Sequence, residues 1–281
     1  MHPASDFEQH RSALFGLAYR MLGSAHEAED IVQEAYLRYA AETAPILSLK
    51  PYLMTIVARL CLDTMKSARV RREEYTGPWL PEPVLTTTPA DSVIEAESLS
   101  FAFLVVLETL SPVERAVFLL REVFDYDYSA IANMLETTEA NCRQLLKRAR
   151  SHIDARRPRF PIPEQRHQAL LSSFTRACLD GDLHAISALL VQDAKMYSDS
   201  GGKVRAPLNP LYGADVIGRF FAGVKQKPQP EITFRIGTVN GQPAVVGYID
   251  GKLAYVTQVK LEGDLISEIY VIANPDKLPL P

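Results

Sequence analysis

Ser129-Ala-Ile-Ala-Asn-Met-Leu135, then Glu136-Thr137-Thr138, then Glu139-Ala-Asn-Cys-Arg-Gln-Leu-Leu-Lys-Arg-Ala-Arg150 is the stretch that decides the fold. The spacing predicts a short helix, a three-residue turn and a longer basic helix, which together make a helix-turn-helix. Ile131, Ala132, Leu135, Cys142 and Leu146 fall where the two helices would pack on each other. A helix that enters the major groove needs hydrogen-bonding side chains near its N-terminus and cations further along. Thr138, Glu139, Asn141, Arg143 and Gln144 supply the first set, and Lys147, Arg148 and Arg150 the second. Glu136 stands where a glycine would ease the turn. An ordinary helical hairpin would show the same apolar spacing.

On the N-terminal side, Phe7, Leu14, Leu17, Ala18, Met21 and Leu22 recur at helical intervals. Gly23-Ser24 stops that helix, and Ser24 with Glu27 opens the next. Ile31, Val32, Ala35, Tyr36 and Tyr39 form the next apolar stripe, and Tyr52 to Met65 is helical again. Residues 76–95 hold Gly77, Pro78, Pro81, Pro83 and Pro89 and read as a linker. Trp79, the only tryptophan, and Leu80 lie inside it, and an apolar pair in such a linker predicts packing on a neighbouring domain. Helices resume over 96–157, where Ser111-Pro112 with Glu114 is a strong start signal. Pro158, Pro161 and Pro163 mark a second linker over 158–164.

From residue 165 to 281 the pattern changes. Helices run to about Leu190, and strand-like runs follow at Lys195–Ser198, Glu231–Val239, Ala244–Ile249, Lys252–Leu261 and Leu265–Ala273. Asn240-Gly241 and Asp250-Gly251 are hairpin signals. The expectation is an antiparallel meander wrapped by helices, an α+β domain.

The 281 residues carry a net charge of −4, which hides a local asymmetry. Glu139 to Arg159 holds seven bases against two acids, a net of +5, and Lys66, Arg69, Arg71 and Arg72 form a second basic cluster. Either these are contacts for a polyanion or they are two solvated helix faces. Cys61, Cys142 and Cys178 form no CxxC pair, so buried thiols in a reducing compartment are expected, with no disulfide frame and no metal site. Asp6, Glu8, His10 and Arg11 interrupt any apolar leader, and no apolar run approaches the roughly 20 residues that cross a bilayer. A cytoplasmic protein that does not enter the membrane is expected.

Three ordered blocks over the first half resemble the extracytoplasmic-function sigma factors of RNA polymerase. Glu27-Ala-Glu-Asp-Ile-Val-Gln-Glu-Ala-Tyr-Leu-Arg38 is similar to their polymerase-binding helix. Pro51-Tyr52-Leu53 through Ala58-Arg59-Leu60-Cys61-Leu62-Asp63 is similar to their −10-recognising helix, with Leu60 where many members carry Asn. Leu110-Ser111-Pro112-Val113-Glu114-Arg115 and the helix-turn-helix are similar to their −35-binding domain. Trp79-Leu80-Pro81-Glu82-Pro83 and Asn274-Pro275-Asp276-Lys277-Leu278 resemble motifs of the subgroup with a fused SnoaL-like domain. Asp199-Ser200-Gly201-Gly202-Lys203 resembles its third motif, Asp-Gly-Gly-Gly-Lys, with serine second.

The resemblance implies two all-α sigma domains, the second with the helix-turn-helix, and a C-terminal α+β NTF2-like cone-shaped barrel. It implies a monomer with core RNA polymerase and promoter DNA as partners, and no cofactor or catalytic residue. Asp30, Gln33 and Glu34 would face polymerase. Arg59, Lys66, Arg69, Arg71 and Arg72 would hold the −10 region, and the loop from Ala44 to Lys50 would capture an unstacked base. Asp199, Gly201, Gly202, Lys203 and the 274–278 segment would hold the Trp79 linker and regulate the sigma domains in cis.

Three other readings stay open at the level of sequence. The C-terminal domain could sense a small ligand. It could be an acid–base enzyme using Asp182, His184, Asp193 or Tyr197, although Asp182 and His184 also suit a helix start and His167 a helix surface. The whole chain could be a helix-turn-helix repressor that never meets polymerase.

Overall fold

A computed structural model describes residues 3–84, 100–154, 163–226 and 231–278. The described residues divide into two compact units. The first holds the chain up to Glu73 and the helices from Phe103 to Asp154. The second holds 74–84, Ser100–Ala102 and everything from Pro163 onward.

In the first unit, α1 (Pro3–Leu22), α2 (Ala25–Ala41) and α3 (Leu49–Glu73) bury Leu14, Leu17, Leu22, Val32, Leu53, Val57 and Cys61 together. Ser24 caps α2, its Oγ accepting from the Glu27 amide at 3.1 Å. The second group contains α4 (Phe101–Leu107), which starts in the second unit, then α5 (Pro112–Phe118), α6 (Tyr128–Met134) and α7 (Glu139–Asp154). Ser111 and Glu114 form a complete capping box at α5, which continues into one π-helical turn, Leu119–Val123. Asp127 caps α6. Glu136 takes the turn with φ +54°, in the left-handed region that glycine would occupy without strain.

Two arginines tie these helix groups together. Arg115 is 1% exposed, and its Nη1 donates to the Met21 carbonyl at 2.6 Å and to Glu108 at 2.7 Å. Arg59 Nε donates to the Met134 carbonyl at 2.8 Å, and its Nη1 lies 2.9 Å from Glu136 Oε1.

The second unit opens with α8 (Glu164–Asp180) and α9 (Leu183–Ala188), followed by β1 (Leu190–Asp199), β2 (Leu211–Tyr212) and α10 (Ala214–Lys225). Then come β3 (Ile232–Val239), β4 (Gln242–Ile249), β5 (Lys252–Glu262) and β6 (Leu265–Ile272), and a 3₁₀ turn at Pro275–Lys277. The sheet order is β2-β1-β6-β5-β4-β3. Asn240-Gly241 and Asp250-Gly251 close the hairpins with both residues of each pair at positive φ, the mirror-image turn that matches strand twist. Register shifts put extra residues into β5, β6 and β1, and such bulges bend a sheet. Leu171, Phe174, Ile186, Ile217, Val245, Val259 and Ile269 meet in the core between them. This is the α+β cone that the resemblance to SnoaL-like, or NTF2-like, domains implies.

The structure corrects the sequence reading in three places. The sheet is mixed, because β1 runs parallel to β6. The long excursion through β2 and α10 lets the meander end beside β1 in the same direction. Helix α10 is absent from the strand-based reading, although Ile217, Phe220, Phe221 and Val224 repeat at helical intervals. Finally, His167 is half-buried, with Nε2 enclosed and without a hydrogen-bond partner among the described residues, where a surface residue was expected.

Candidate functional site

The helix-turn-helix exposes the residues that the sequence reading placed on its outer face. Thr138, Glu139, Asn141, Arg143, Gln144, Lys147, Arg148 and Arg150 are all exposed, while Cys142, Leu146, Ala149 and Ile153 are buried on the opposite side of α7. Thr138 Oγ1 accepts from the Asn141 amide at 3.2 Å, satisfying one of the free N–H groups at the helix start. Asn141 Nδ2 reaches Thr137 Oγ1 at 2.9 Å. Arg143 pairs with Glu139 at 2.6 Å and Arg150 with Glu122 at 2.8 Å. Both pairs are solvent-exposed, so another anion or acceptor can displace the carboxylates at little cost.

On α2, Asp30 and Gln33 are exposed and Glu34 is half-buried, paired with Arg38 at 2.8 Å. Leu37, 55% exposed, extends the same face by one turn and was missed by a search confined to polar groups. The loop expected over Ala44–Lys50 ends at Ser48, because Leu49 and Lys50 already belong to α3. Just before it Glu42 accepts from the Thr43 and Ala44 amides at 2.9 Å each, and Leu47 within it is fully exposed. Lys66 is exposed and paired with Asp63 at 2.7 Å. The side chains of Arg69, Arg71 and Arg72 lie outside the described residues, as do Arg156, Arg157, Arg159 and linker positions 85–95. The guanidinium of Arg59 is taken up by the end of α6 in this arrangement.

The second unit brings Tyr75, Trp79 and Leu80 and residues of the other two motifs into one site. Asp199, at the end of β1, is 0% exposed. Its Oδ1 accepts from the Tyr75 hydroxyl, and its Oδ2 accepts from the Leu80 amide and from Lys277 Nζ, both at 2.8 Å. Lys277 Nζ also donates to the Leu80 carbonyl at 2.7 Å. It lies 4.0 Å from the Trp79 ring centroid and 4.9 Å from that of Tyr75. Both backbone polar groups of Leu80 are thereby bonded to a buried ion pair, and the ammonium sits against two aromatic rings. Burial, and then the hydrogen bond to Asp199, push the Tyr75 hydroxyl well above the ordinary tyrosine range.

The remaining motif residues build the walls. Asn274 Nδ2 donates to the Tyr75 hydroxyl at 2.8 Å, and the Ala273 and Asn274 amides both donate to the Asp199 carbonyl, at 2.7 and 2.9 Å. Gly201 has φ +56°, and a Cβ there would fall 2.5 Å from Asn274 Nδ2, so both conformation and space require glycine. Ser200, the departure from the motif, accepts from the Gly202 amide through Oγ at 3.3 Å. Lys203 pairs with Asp276 at the rim. Pro275 opens the 3₁₀ turn that carries Lys277 inward, and Leu278 is buried behind it. Leu80 and Pro81 are buried, and Pro83 with them, whereas Glu82 is half-buried.

Three participants escaped the sequence reading. Tyr75 lies just ahead of the linker motif. Asn240, 1% exposed, exchanges two hydrogen bonds with Val84: its amide donates to the Val84 carbonyl and its Oδ1 accepts from the Val84 amide, both at 2.8 Å. Gln258 Oε1 accepts from the Phe101 amide at 3.4 Å, and its Nε2 donates to the Val239 carbonyl at 2.6 Å. A lone glutamine in an apolar strand was the available signal for Gln258. Asn240 was hidden because its turn role already explained it.

The candidate acid–base residues have other occupations. Asp182 caps α9, accepting from the Ala185 amide at 3.0 Å. His184 and Asp193 are exposed. Tyr197 stacks on Tyr270, with ring centroids 5.7 Å apart. Among the described residues no group of three or more His, Cys, Asp or Glu side chains could hold a metal ion, and no helix is long and apolar enough to cross a membrane.

A helix-turn-helix with an exposed basic face, joined in one unit to a three-helix group, is the arrangement that the resemblance to sigma factors implies. Residues 7–71 match the family model for sigma-70 region 2, and residues 100–153 match that for sigma-70 region 4. The ECF RNA polymerase sigma factor SigJ of Mycobacterium tuberculosis is 36% identical, over 97% of this chain and 92% of that protein. The probable ECF RNA polymerase sigma factor SigI of the same organism is 33% identical, over 96% of this chain and 92% of that protein. The crystal structure of SigJ superposes with a TM-score of 0.81 at 34% identity, covering 99% of this chain and 100% of that one. The chain belongs to the extracytoplasmic-function sigma factors. It directs RNA polymerase to promoters for transcription initiation.

Proposed function

We propose that the SnoaL-like domain regulates this sigma factor in cis by gripping the chain between regions 2 and 4. The observation that carries the reading is Leu80, whose N–H and C=O are both bonded to the buried Asp199–Lys277 pair. Asn240 and Gln258 extend the grip to Val84 and Phe101, on either side of the rest of the linker. A linker held at these points limits the separations that regions 2 and 4 can adopt, and promoter choice depends on that separation.

Within this reading, Asp30, Gln33 and Glu34 meet polymerase. Arg59, Lys66, Arg69, Arg71 and Arg72 serve the −10 element, and the exposed face of α7 serves the −35 element. The test is promoter-specific transcription with core RNA polymerase, comparing the full chain, a chain lacking residues 274–281, and Lys277→Met. The expected result is altered output, or altered tolerance of spacer length, in both variants. Unchanged transcription from every template would dismiss cis regulation while leaving the sigma assignment standing.

A further inference from the structure

Tyr128 has no assigned part in promoter reading, yet its ring is a meeting point for two cations. It is the first residue of α6 and is half-buried. The Arg143 guanidinium carbon lies 4.8 Å from the ring centroid, and that of Arg121 lies 5.3 Å away. Arg121 is committed locally: its Nη1 donates to the Tyr126 carbonyl at 2.9 Å, and it stands 3.7 Å from Asp125. Arg143 instead belongs to the exposed face of α7, where Glu139, one turn earlier, accepts from its Nη2 at 2.6 Å.

We infer that Tyr128 is a positioning residue for sequence reading at the −35 element, holding the Arg143 guanidinium ready for a base edge. This rests on the reading of Arg143 as a base contact. A free arginine side chain has much rotamer freedom to lose on binding, and a group already held in place loses less. The ring holds the cation without using any of its N–H donors, and Glu139 uses one of five. The remaining donors are enough for the two-point contact by which arginine selects guanine in the major groove. The helix that ordinarily only braces the recognition helix thus supplies part of the specificity.

The experiment uses the full chain with core RNA polymerase and a duplex library randomised over the −35 box, with bound sequences counted. Arg143→Ala should erase the preference at one base pair. Tyr128→Leu and Tyr128→Met should weaken the preference at that same base pair by about 2- to 5-fold, the range expected for a lost cation–π contact at an exposed site. Tyr128→Phe should restore it. A merely structural role would lower binding to all sequences equally, together with thermal stability, and that outcome overturns the inference. So does an unchanged preference in both non-aromatic variants. If Arg143→Ala leaves every preference intact, the base-contact reading itself is what has failed.

Discussion

The Asp199–Lys277 pair and the Glu139–Arg143 pair use the same chemistry in opposite surroundings. The first has side-chain exposures of 0% and 8%, the second 45% and 55%. A buried pair is expensive to form, and it holds only if every remaining donor and acceptor is satisfied. Around Asp199 that condition is met by Tyr75 and Leu80, and around Lys277 by the Leu80 carbonyl and two aromatic rings. The exposed pair is held weakly, which suits a cation that the proposed function hands over to DNA. Burial therefore separates the charges that hold the chain from those that are spent on a partner.

The sharpest way to break this contrast is to remove one member of each pair. Lys277→Met leaves a carboxylate buried without its cation, and the expected loss is about 3–5 kcal/mol in denaturant unfolding. Arg143→Met should cost less than about 1 kcal/mol. The double variant Asp199→Asn/Lys277→Met should recover part of the first loss, because neither charge is then stranded. Similar losses for Lys277→Met and Arg143→Met would show that burial does not divide the two sites. Next in size is Asn240→Ala, which removes the acceptor for the Val84 amide. It should cost about 1–2 kcal/mol, read as faster hydrogen exchange at Val84.

The helices of both sigma regions were legible because caps and apolar periodicity coincide in them. Ser24, Ser111 and the buried stripe of α7 each report a local rule that the tertiary structure leaves in force. The linker site was legible only through family resemblance: nothing local in Trp79-Leu80 says that an ammonium from position 277 will lie against the ring. Contacts such as Tyr75–Asp199 join residues separated by 124 positions, and no periodicity encodes a partner at that distance. The parallel pairing of β1 with β6 was illegible for the same reason. Helix α10 was legible and passed over, since the strand signals on either side dominated the segment.

Glu136 tests the contrast from the exposed side. Its backbone sits at φ +54°, and its carboxylate pairs with Arg59 at exposures of 76% and 44%. Glu136→Gly removes a left-handed strain of about 1 kcal/mol and forfeits a surface pair of about 0–1 kcal/mol. The expected outcome is a small gain in thermal stability that grows with salt, because salt has already weakened the pair in the parent. A clear loss at every ionic strength would mean that the Arg59–Glu136 contact is stronger than its exposure suggests.

The smallest effect expected is the pH response of His167, which sharpens the contrast because the ring is half-buried and the charge acting on it, Glu164, pulls only weakly. Burial lowers its pKa below the ordinary histidine value, against weaker opposing pulls from the Val259 backbone, the Gln242 side chain and Glu164. The unfolded chain takes up this proton near pH 6.5, and the folded domain only at lower pH. Between those points the unfolded state binds more protons, so stability falls as pH falls, and below the folded value this group adds no further slope. Glu268 responds separately and lower. Burial would raise its pKa, but hydrogen bonds from Lys260 and Tyr270 outweigh that and hold it below the usual glutamate value. Its contribution to stability is thus lost only as pH falls past the carboxylate range. Thermal unfolding of the parent and His167→Leu from pH 7.5 to pH 5 should diverge below about 6.5, with the parent losing more. Parallel curves would show that the ring is solvated enough to titrate normally, and that enclosure of Nε2 does not make this histidine part of the domain's buried electrostatics.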